Sequence, residues 1–400
     1  MKTAAIIAEF NPFHNGHALL IRKAKEELGA DRVIVLMSGD FVQRGGPAAA
    51  DRHVRAKCAL LGGADLVLAY PSRYATSSAE SFAFRAVDML DRLHCVDLLV
   101  FGSECGDLEL LTGAADRIGA EEEDYRERLR EGLKKGLSFP KARAEALPEY
   151  RSLLRQPNNI LAVEYLKALR RTGSTMQPAT AAREGAGHHR PSPSGVYASA
   201  GALRRLLKEE PDSPQIRETV PEACLPPLLQ ETAAYGTAEA DDWSLILLDR
   251  LWRAECAEEL AAFEGVTEEL ANAMFRNRVF CRGFSGFADL LASRNLTRTA
   301  VCRAFRHLIL GFRKDDGLTG AYCTQVLGFR KEAEELPGRI RENSTYPVLM
   351  NLSREAERLS GKERLLLEEE LRVSHLYTSV RCLRSGAPFI GEYSRKIVKA

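Results

Sequence analysis

The chain is expected to fold as a doubly wound α/β domain, a parallel five-stranded sheet with helices on both faces, followed by an all-helical C-terminal half. Three observations predict this. Short, continuous apolar runs alternate with helical patterns through the first third, as in a parallel sheet covered on both sides. Prolines at 211, 214, 221, 226 and 227 then mark a connector. From about Ala238 onward the apolar periodicity is helical.

The elements follow in order. Thr3 to Ala8 reads as the first strand and Gly16 to Leu28 as the first helix. Arg32 to Met37 is the second strand, Arg52 to Gly62 helical, and Asp65 to Ala69 the third strand. Ala79 to Leu93 is helical, Val96 to Phe101 the fourth strand, and Thr175 to Ala182 the fifth. A charged helical insertion occupies about 108–169. Right-handed crossovers give the strand order 3-2-1-4-5. Two units are expected, 1–205 and 206–400.

The bulk numbers narrow the class. Among 400 residues, 56 Lys and Arg nearly balance 55 Asp and Glu, for a net charge of +1. Any basic surface must therefore come from local segregation. Nine cysteines, none in a Cys-x-x-Cys pair, suit reduced thiols and a cytoplasmic setting better than a disulfide framework. The N-terminal apolar run meets Glu9 too early for a signal peptide, and no run is long enough to span a membrane. A soluble intracellular protein is expected.

The most informative segment is Asn11-Pro12-Phe13-His14-Asn15-Gly16-His17, where the first strand passes into the first helix. Unpaired amides at a helix N-terminus attract anions, and in a doubly wound sheet they lie at the ligand-binding edge. His14 and His17 are three apart, so both can project from one side of the helix start. Gly16 lets a ring or phosphate approach the backbone. Two imidazoles here can donate to phosphate oxygens. The bland alternative is a pair of surface histidines near a turn. Zinc is a weaker rival, because no third ligand is nearby.

This segment resembles the His-x-Gly-His motif of the nucleotidylyl-transferase superfamily. Ile6 through His17, Met37 through Pro47 (MSGDFVQRGGP), Gly62-Gly63-Ala64-Asp65 and Phe101-Gly102-Ser103-Glu104 resemble the tRNA(Met) cytidine acetate ligase family. Pro157 through Leu161 and Arg183 through His188 follow that family's pattern too. The resemblance implies an ATP site built from Ile7, Ala8, Glu9, Phe10, Asn11, Pro12, Phe13, His14, Asn15, Gly16, His17, Ala18, Leu19 and Leu20, completed by Gly102, Asn158 and Arg183. It implies acetate as the activated acid, elongator tRNA(Met) as partner, and magnesium arriving with ATP rather than at a fixed protein site. Asn158 is otherwise a helix N-cap candidate, and its neighbour Asn159 competes for the role.

Tyr197 through Arg204 resembles the Ser-Ser-Thr-x-x-Arg signature of nucleotidylyl transferases but has Ala and Gly where hydroxyls are usual. Ser199 and Arg204 remain candidate phosphate contacts, with an N-cap serine and a solvated arginine as the alternative. Arg44, in the Gln43–Pro47 loop, suits either substrate recognition or a solvated turn. Asp40 reads best as a turn aspartate, and His188-His189-Arg190 as part of a Gly/Pro/Ser loop.

Between Arg276 and Lys314 there are nine Lys and Arg and one acid, Asp289. Val301, Phe305, Leu308 and Phe312 form an apolar helical stripe, leaving Arg303, Arg306 and His307 on the other face. With Arg294 and Arg298, these arginines are candidates for contact with tRNA phosphates. Phe280, Phe284 and Phe287 read as core. The alternatives are a nucleotidylyl transferase that makes a dinucleotide-type cofactor, or a non-catalytic tRNA-binding protein.

Overall fold

The computed structural model describes residues 1–120, 122–183 and 199–400. Five parallel strands form its centre: β1 (Thr3–Ala8), β2 (Arg32–Ser38), β3 (Leu66–Tyr70), β4 (Leu98–Ser103) and β5 (Gln177–Ala182). They lie in the order β5-β4-β1-β2-β3, the expected 3-2-1-4-5 read from the other edge. β1 therefore pairs on both sides, and its carboxyl end opens at the switch point where such sheets bind ligands.

Residue alternation builds the two faces. Ile34, Leu36, Leu68 and Leu99 pack with Phe82 and Val87 of α3 (Ala79–Asp91), with α4 (Leu108–Ala120), and with Val163 of α5 (Pro157–Thr172). Val33, Val35, Val67 and Val100 face the other way. They meet Ile21 and Ala24 of α1 (Asn15–Glu26), Ala56 and Leu60 of α2 (Arg52–Leu61), and Leu203 of α6 (Ala200–Glu209). Each such aliphatic side chain contributes about 1.5–3 kcal/mol on full burial.

The all-helical expectation for the second half requires correction. β6 (Thr324–Phe329) runs antiparallel along the free edge of β3, and β7 (Val348–Leu349) and β8 (Val398–Lys399) both pair parallel to β6. The central sheet thus has more than five strands. Val326 and Leu327 of β6 are fully buried, one on each face.

A third core is helical. It joins α7 (Ser244–Arg253), α8 (Glu268–Asn277), α9 (Phe284–Leu291) and α10 (Arg298–Leu310) around Trp243, Phe284, Phe287 and Phe305. α11 (Gly361–Ser385) links this cluster to the sheet. Its Leu366 and Leu371 pack in the first core, and its Val373 and Tyr377 pack in the third. Tyr377 also donates to the Ala48 carbonyl at 2.8 Å.

Candidate functional site

The site begins where β1 runs out. Phe10 takes φ 45°, a conformation uncommon for a non-glycine residue and concentrated at functional sites. Asn11 is buried and accepts from the Ala49 amide at 2.8 Å through Oδ1, which ties the turn to the segment before α2. Helix α1 then starts with His14 as its N-cap.

The cap determines the chemistry of both histidines. His14 Nδ1 accepts from the Gly16 amide at 3.1 Å, and the His14 amide donates to His17 Nδ1 at 3.3 Å. With both Nδ1 atoms accepting, both neutral rings carry their proton on Nε2. The rings stack with centroids 3.7 Å apart, and the Phe10 ring packs against His17. A Cβ on Gly16 would lie 3.0 Å from His14 Cε1, so the missing side chain makes room for the capping ring. His14 Nε2 is buried and has no hydrogen-bond partner among the described residues. A buried donor of this kind needs an acceptor, and a phosphate oxygen supplies one.

Burial, then the nearby Arg183 guanidinium, lowers the His14 pKa to about 4. Burial, then His14 and Arg183, holds His17 well below 6.5. Both rings are therefore neutral donors at physiological pH. For His14 the pKa falls from 6.5 when unfolded to about 4 when folded, so the unfolded chain takes up the proton first as pH falls. The contribution of His14 to stability is complete above pH 6.5 and is lost as pH falls from 6.5 to about 4. In the nucleotide-free protein the loss is on the order of 3 kcal/mol. Urea unfolding across that window should show it, and His14→Asn should remove it. An unchanged pH profile in that variant would refute a buried neutral His14.

The remaining expected residues converge on this turn. Gly102 is the penultimate residue of β4, and a Cβ there would meet Arg183 Cγ at 3.3 Å, so the arginine stem lies across it. Arg183 Nη1 donates to Asn158 Oδ1 at 3.3 Å. Asn158 is not the N-cap of α5; Gln156 is. Its Nδ2 instead donates to Glu104 at 2.6 Å, and Glu104 also accepts from the Asn158 and Asn159 amides. Asn159 is buried and receives the Glu104 and Cys105 amides, so it holds the turn while Asn158 faces Arg183.

Ser199 caps α6 by accepting from the Ala202 amide, and Arg204 Nη1 reaches the Asn11 carbonyl at 2.8 Å. The starts of α1 and α6 are thereby brought towards one turn, together with Arg183 and Arg204. Glu9 sits among these cations. Its Oε1 accepts from the Gln43 amide at 2.9 Å, and burial pushes its carboxyl up against the opposing influence of that amide, Arg44, Arg204 and Arg55. His188, His189 and Arg190 lie outside the described residues.

Two further features go beyond the linear reading. Asp40 sits at a bend after β2, as a turn aspartate would, and is fully buried there. It lies 3.9 Å from Arg52, within a cluster that includes Glu370 and Glu392, and burial pushes its carboxyl up. Arg55 carried no linear signal, because a cation inside a predicted helix reads as solvent-facing. It is nonetheless 1% exposed. Its guanidinium donates to the carbonyls of Ala50 at 3.0 Å, Glu9 at 2.7 Å, Ser38 at 3.0 Å, and Gly39. It therefore staples the carboxyl ends of β1 and β2.

The basic stretch is only partly as expected. Val301, Phe305, Leu308 and Phe312 are buried, but Arg306 and His307 are buried as well, which corrects their assignment to an outer face. The Gln43–Pro47 turn docks on that face. Gly45 has φ 77°, and a Cβ there would lie 2.6 Å from the Cys302 carbonyl carbon. Arg306 Nε donates to the Gly45 carbonyl at 3.0 Å, and its guanidinium lies against Phe41, Trp243 and Phe284. Arg306 is thus removed from the nucleic-acid candidates. His307 bonds to the Glu264 carbonyl and to Thr76. Arg303 is half-buried, Arg298 pairs with Asp289 at 2.5 Å, and Arg44 and Arg294 are exposed. Phe284 and Phe287 are core, whereas Phe280 is 61% exposed.

The model of the family described as HIGH Nucleotidyl Transferase matches residues 1–385. The tRNA(Met) cytidine acetate ligase of Halothermothrix orenii is 33% identical over 394 residues, 93% of this chain and 92% of that protein. The one from a Thermoanaerobacter species is 34% identical over 388 residues, 94% of this chain and 95% of that protein. The chain belongs to the tRNA(Met) cytidine acetate ligase family. Among solved structures, Thermotoga maritima TmcAL bound with alpha-thio ATP superposes with a TM-score of 0.88 at 28% identity, covering 100% of this chain and 99% of that one. Its apo form superposes with a TM-score of 0.89. Glu104 and Arg55 are the supporting residues of the candidate site that carried no role in the linear reading, although Glu104 stands in the Phe101–Glu104 motif.

Proposed function

We propose that this chain is an ATP-dependent ligase that activates acetate as acetyl adenylate and acetylates the N4 amine of the wobble cytidine of elongator tRNA(Met), giving N4-acetylcytidine. Besides the family membership, one observation supports the ATP half of this reading. The buried Nε2–H of His14 has no partner among the described residues, in a motif whose helix start, Arg183 and Arg204 all favour anions.

In the first step an acetate oxygen attacks the α-phosphorus, and the bond to pyrophosphate breaks. Neutral His14 and His17 donate Nε2–H to phosphate oxygens as charge builds there, without giving up a proton. Arg183 pairs with phosphate or ribose, steadied by Asn158, while Gly102 leaves space beside it. Ser199 and Arg204 complete the phosphate contacts. Magnesium would arrive with the ATP phosphates and partly neutralise their charge. In the second step the cytidine N4 attacks the acetyl carbonyl carbon, the bond to the AMP phosphate breaks, and the amine loses a proton. No covalent attachment to the protein is needed, so none of the nine free cysteines is assigned a role.

Arg44, Arg294, Arg298 and Arg303 are the arginines we assign to the tRNA side. We assign the protein to the cytoplasm, where its tRNA substrate would be met. No described helix is long and apolar enough to cross a membrane. Incubation with ATP, labelled acetate and total tRNA should label one cytidine species and release AMP and pyrophosphate. Absence of label from every cytidine would overturn the reading.

A further inference from the structure

We infer that an exposed aromatic and cationic patch on the helical cluster, centred on Trp252, Arg278 and Phe280, is a stacking platform for unpaired bases of the tRNA. The inference rests on the tRNA reading above and adds to it a surface separate from the ATP turn.

The patch is built rather than incidental. Trp252 lies in the last turn of α7, and Arg278 follows the end of α8. Arg278 Nη1 donates to the Leu251 carbonyl at 3.2 Å and the Ala254 carbonyl at 2.9 Å, at the negative end of the α7 dipole. This fixes the guanidinium 4.7 Å from the Trp252 ring centre and 4.0 Å from that of Phe275. The arginine thus lies over both rings, and Trp252 stays 52% exposed. Beside it Val279 is 52% and Phe280 61% exposed. Three large apolar side chains left in water around a fixed cation mark an interaction surface.

Charge selects the occupant. Arg276 and Arg282 flank the patch and are exposed. Asp249 is paired with Arg253, the exposed Glu255, Glu258 and Glu259 follow α7 on the other side of Trp252, and Glu268 and Glu269 open α8 at the far end of that helix. A single-stranded RNA segment matches the cationic side of the patch. Its bases present flat π faces to Trp252 and Phe280, and its phosphates face Arg276 and Arg282.

The chain contains two tryptophans, and Trp243 is fully buried, so tRNA-dependent quenching reports on Trp252. With the full-length protein, tRNA should quench tryptophan emission in the wild type and not in Trp252→Phe. Trp252→Ala and Phe280→Ala should each raise the tRNA KM for acetylation about ten- to hundredfold. Their acetate-dependent ATP–pyrophosphate exchange without tRNA should stay within about twofold of wild type, since neither residue belongs to the ATP turn. Trp252→Phe, which keeps a stacking ring, should stay close to the wild-type KM. Unchanged tRNA KM in both alanine variants would overturn the inference. So would tRNA leaving the Trp252 emission unaltered, or a dimer that Trp252→Ala dissolves. A wild-type protein that acetylates no cytidine counts against the enzymatic reading, and the quenching experiment still decides the patch.

Discussion

His14→Asn is expected to lower acetate-dependent ATP–pyrophosphate exchange about 10²- to 10³-fold while leaving the folded protein near wild-type stability at pH 7.5. The magnitude is that of removing one preorganised donor to a developing anion. The separation arises because His14 has two jobs on two nitrogens. Its Nδ1 caps α1 through the Gly16 amide, and its Nε2–H is left for the ligand. Asparagine is a favoured N-cap and retains the first job only. His14→Ala loses both and should add about 1 kcal/mol of destabilisation. Exchange assays and thermal melts on the two variants distinguish the jobs. Exchange within tenfold of wild type in His14→Asn would show that Nε2 is not a phosphate donor.

Arg55→Met should carry the largest stability cost of any single change near the site, on the order of 3–5 kcal/mol. Removing the guanidinium strips the carbonyls of Glu9, Ser38, Gly39 and Ala50 of that donor, in a region almost closed to water. Each newly unsatisfied buried acceptor costs about 1–3 kcal/mol, partly recovered by relaxation. Arg55→Lys keeps the charge but not the fork, and should recover only part of the loss. Denaturant unfolding measures both. A cost below about 1 kcal/mol for Arg55→Met would mean that other donors reach these carbonyls.

The parallel strands were legible because each is an apolar run between helices, and their ends moved by only one or two residues. Thr324–Phe329 was not, although Gly317 and Gly320 punctuate the chain just before it. Six residues amid helices carry no periodicity of their own, and their strand character comes from pairing with β3. The phosphate turn was legible from the order of strand, Asn-Pro, glycine and helix. The neutral state of its histidines was not, because it comes first from their burial and then from Arg183, far along the chain. Arg306 shows the same limit. Its apolar stripe was read correctly, but the face behind it is covered by a turn 261 residues away.

The antiparallel strand on the sheet edge also has a consequence in time. β3 ends at Tyr70 and β6 begins at Thr324, so a ribosome adds about 250 residues between them. At about 5–20 residues per second, this takes roughly 13–50 s. Through that interval the backbone groups of Leu66–Tyr70 on the side later taken by β6 have no strand to pair with, although the parallel strands on the other side are already made. A bare edge of apolar residues is a template for pairing with other chains. The newborn protein is therefore most exposed to misassociation late in its synthesis, and a fragment ending near residue 205 would keep that open edge permanently.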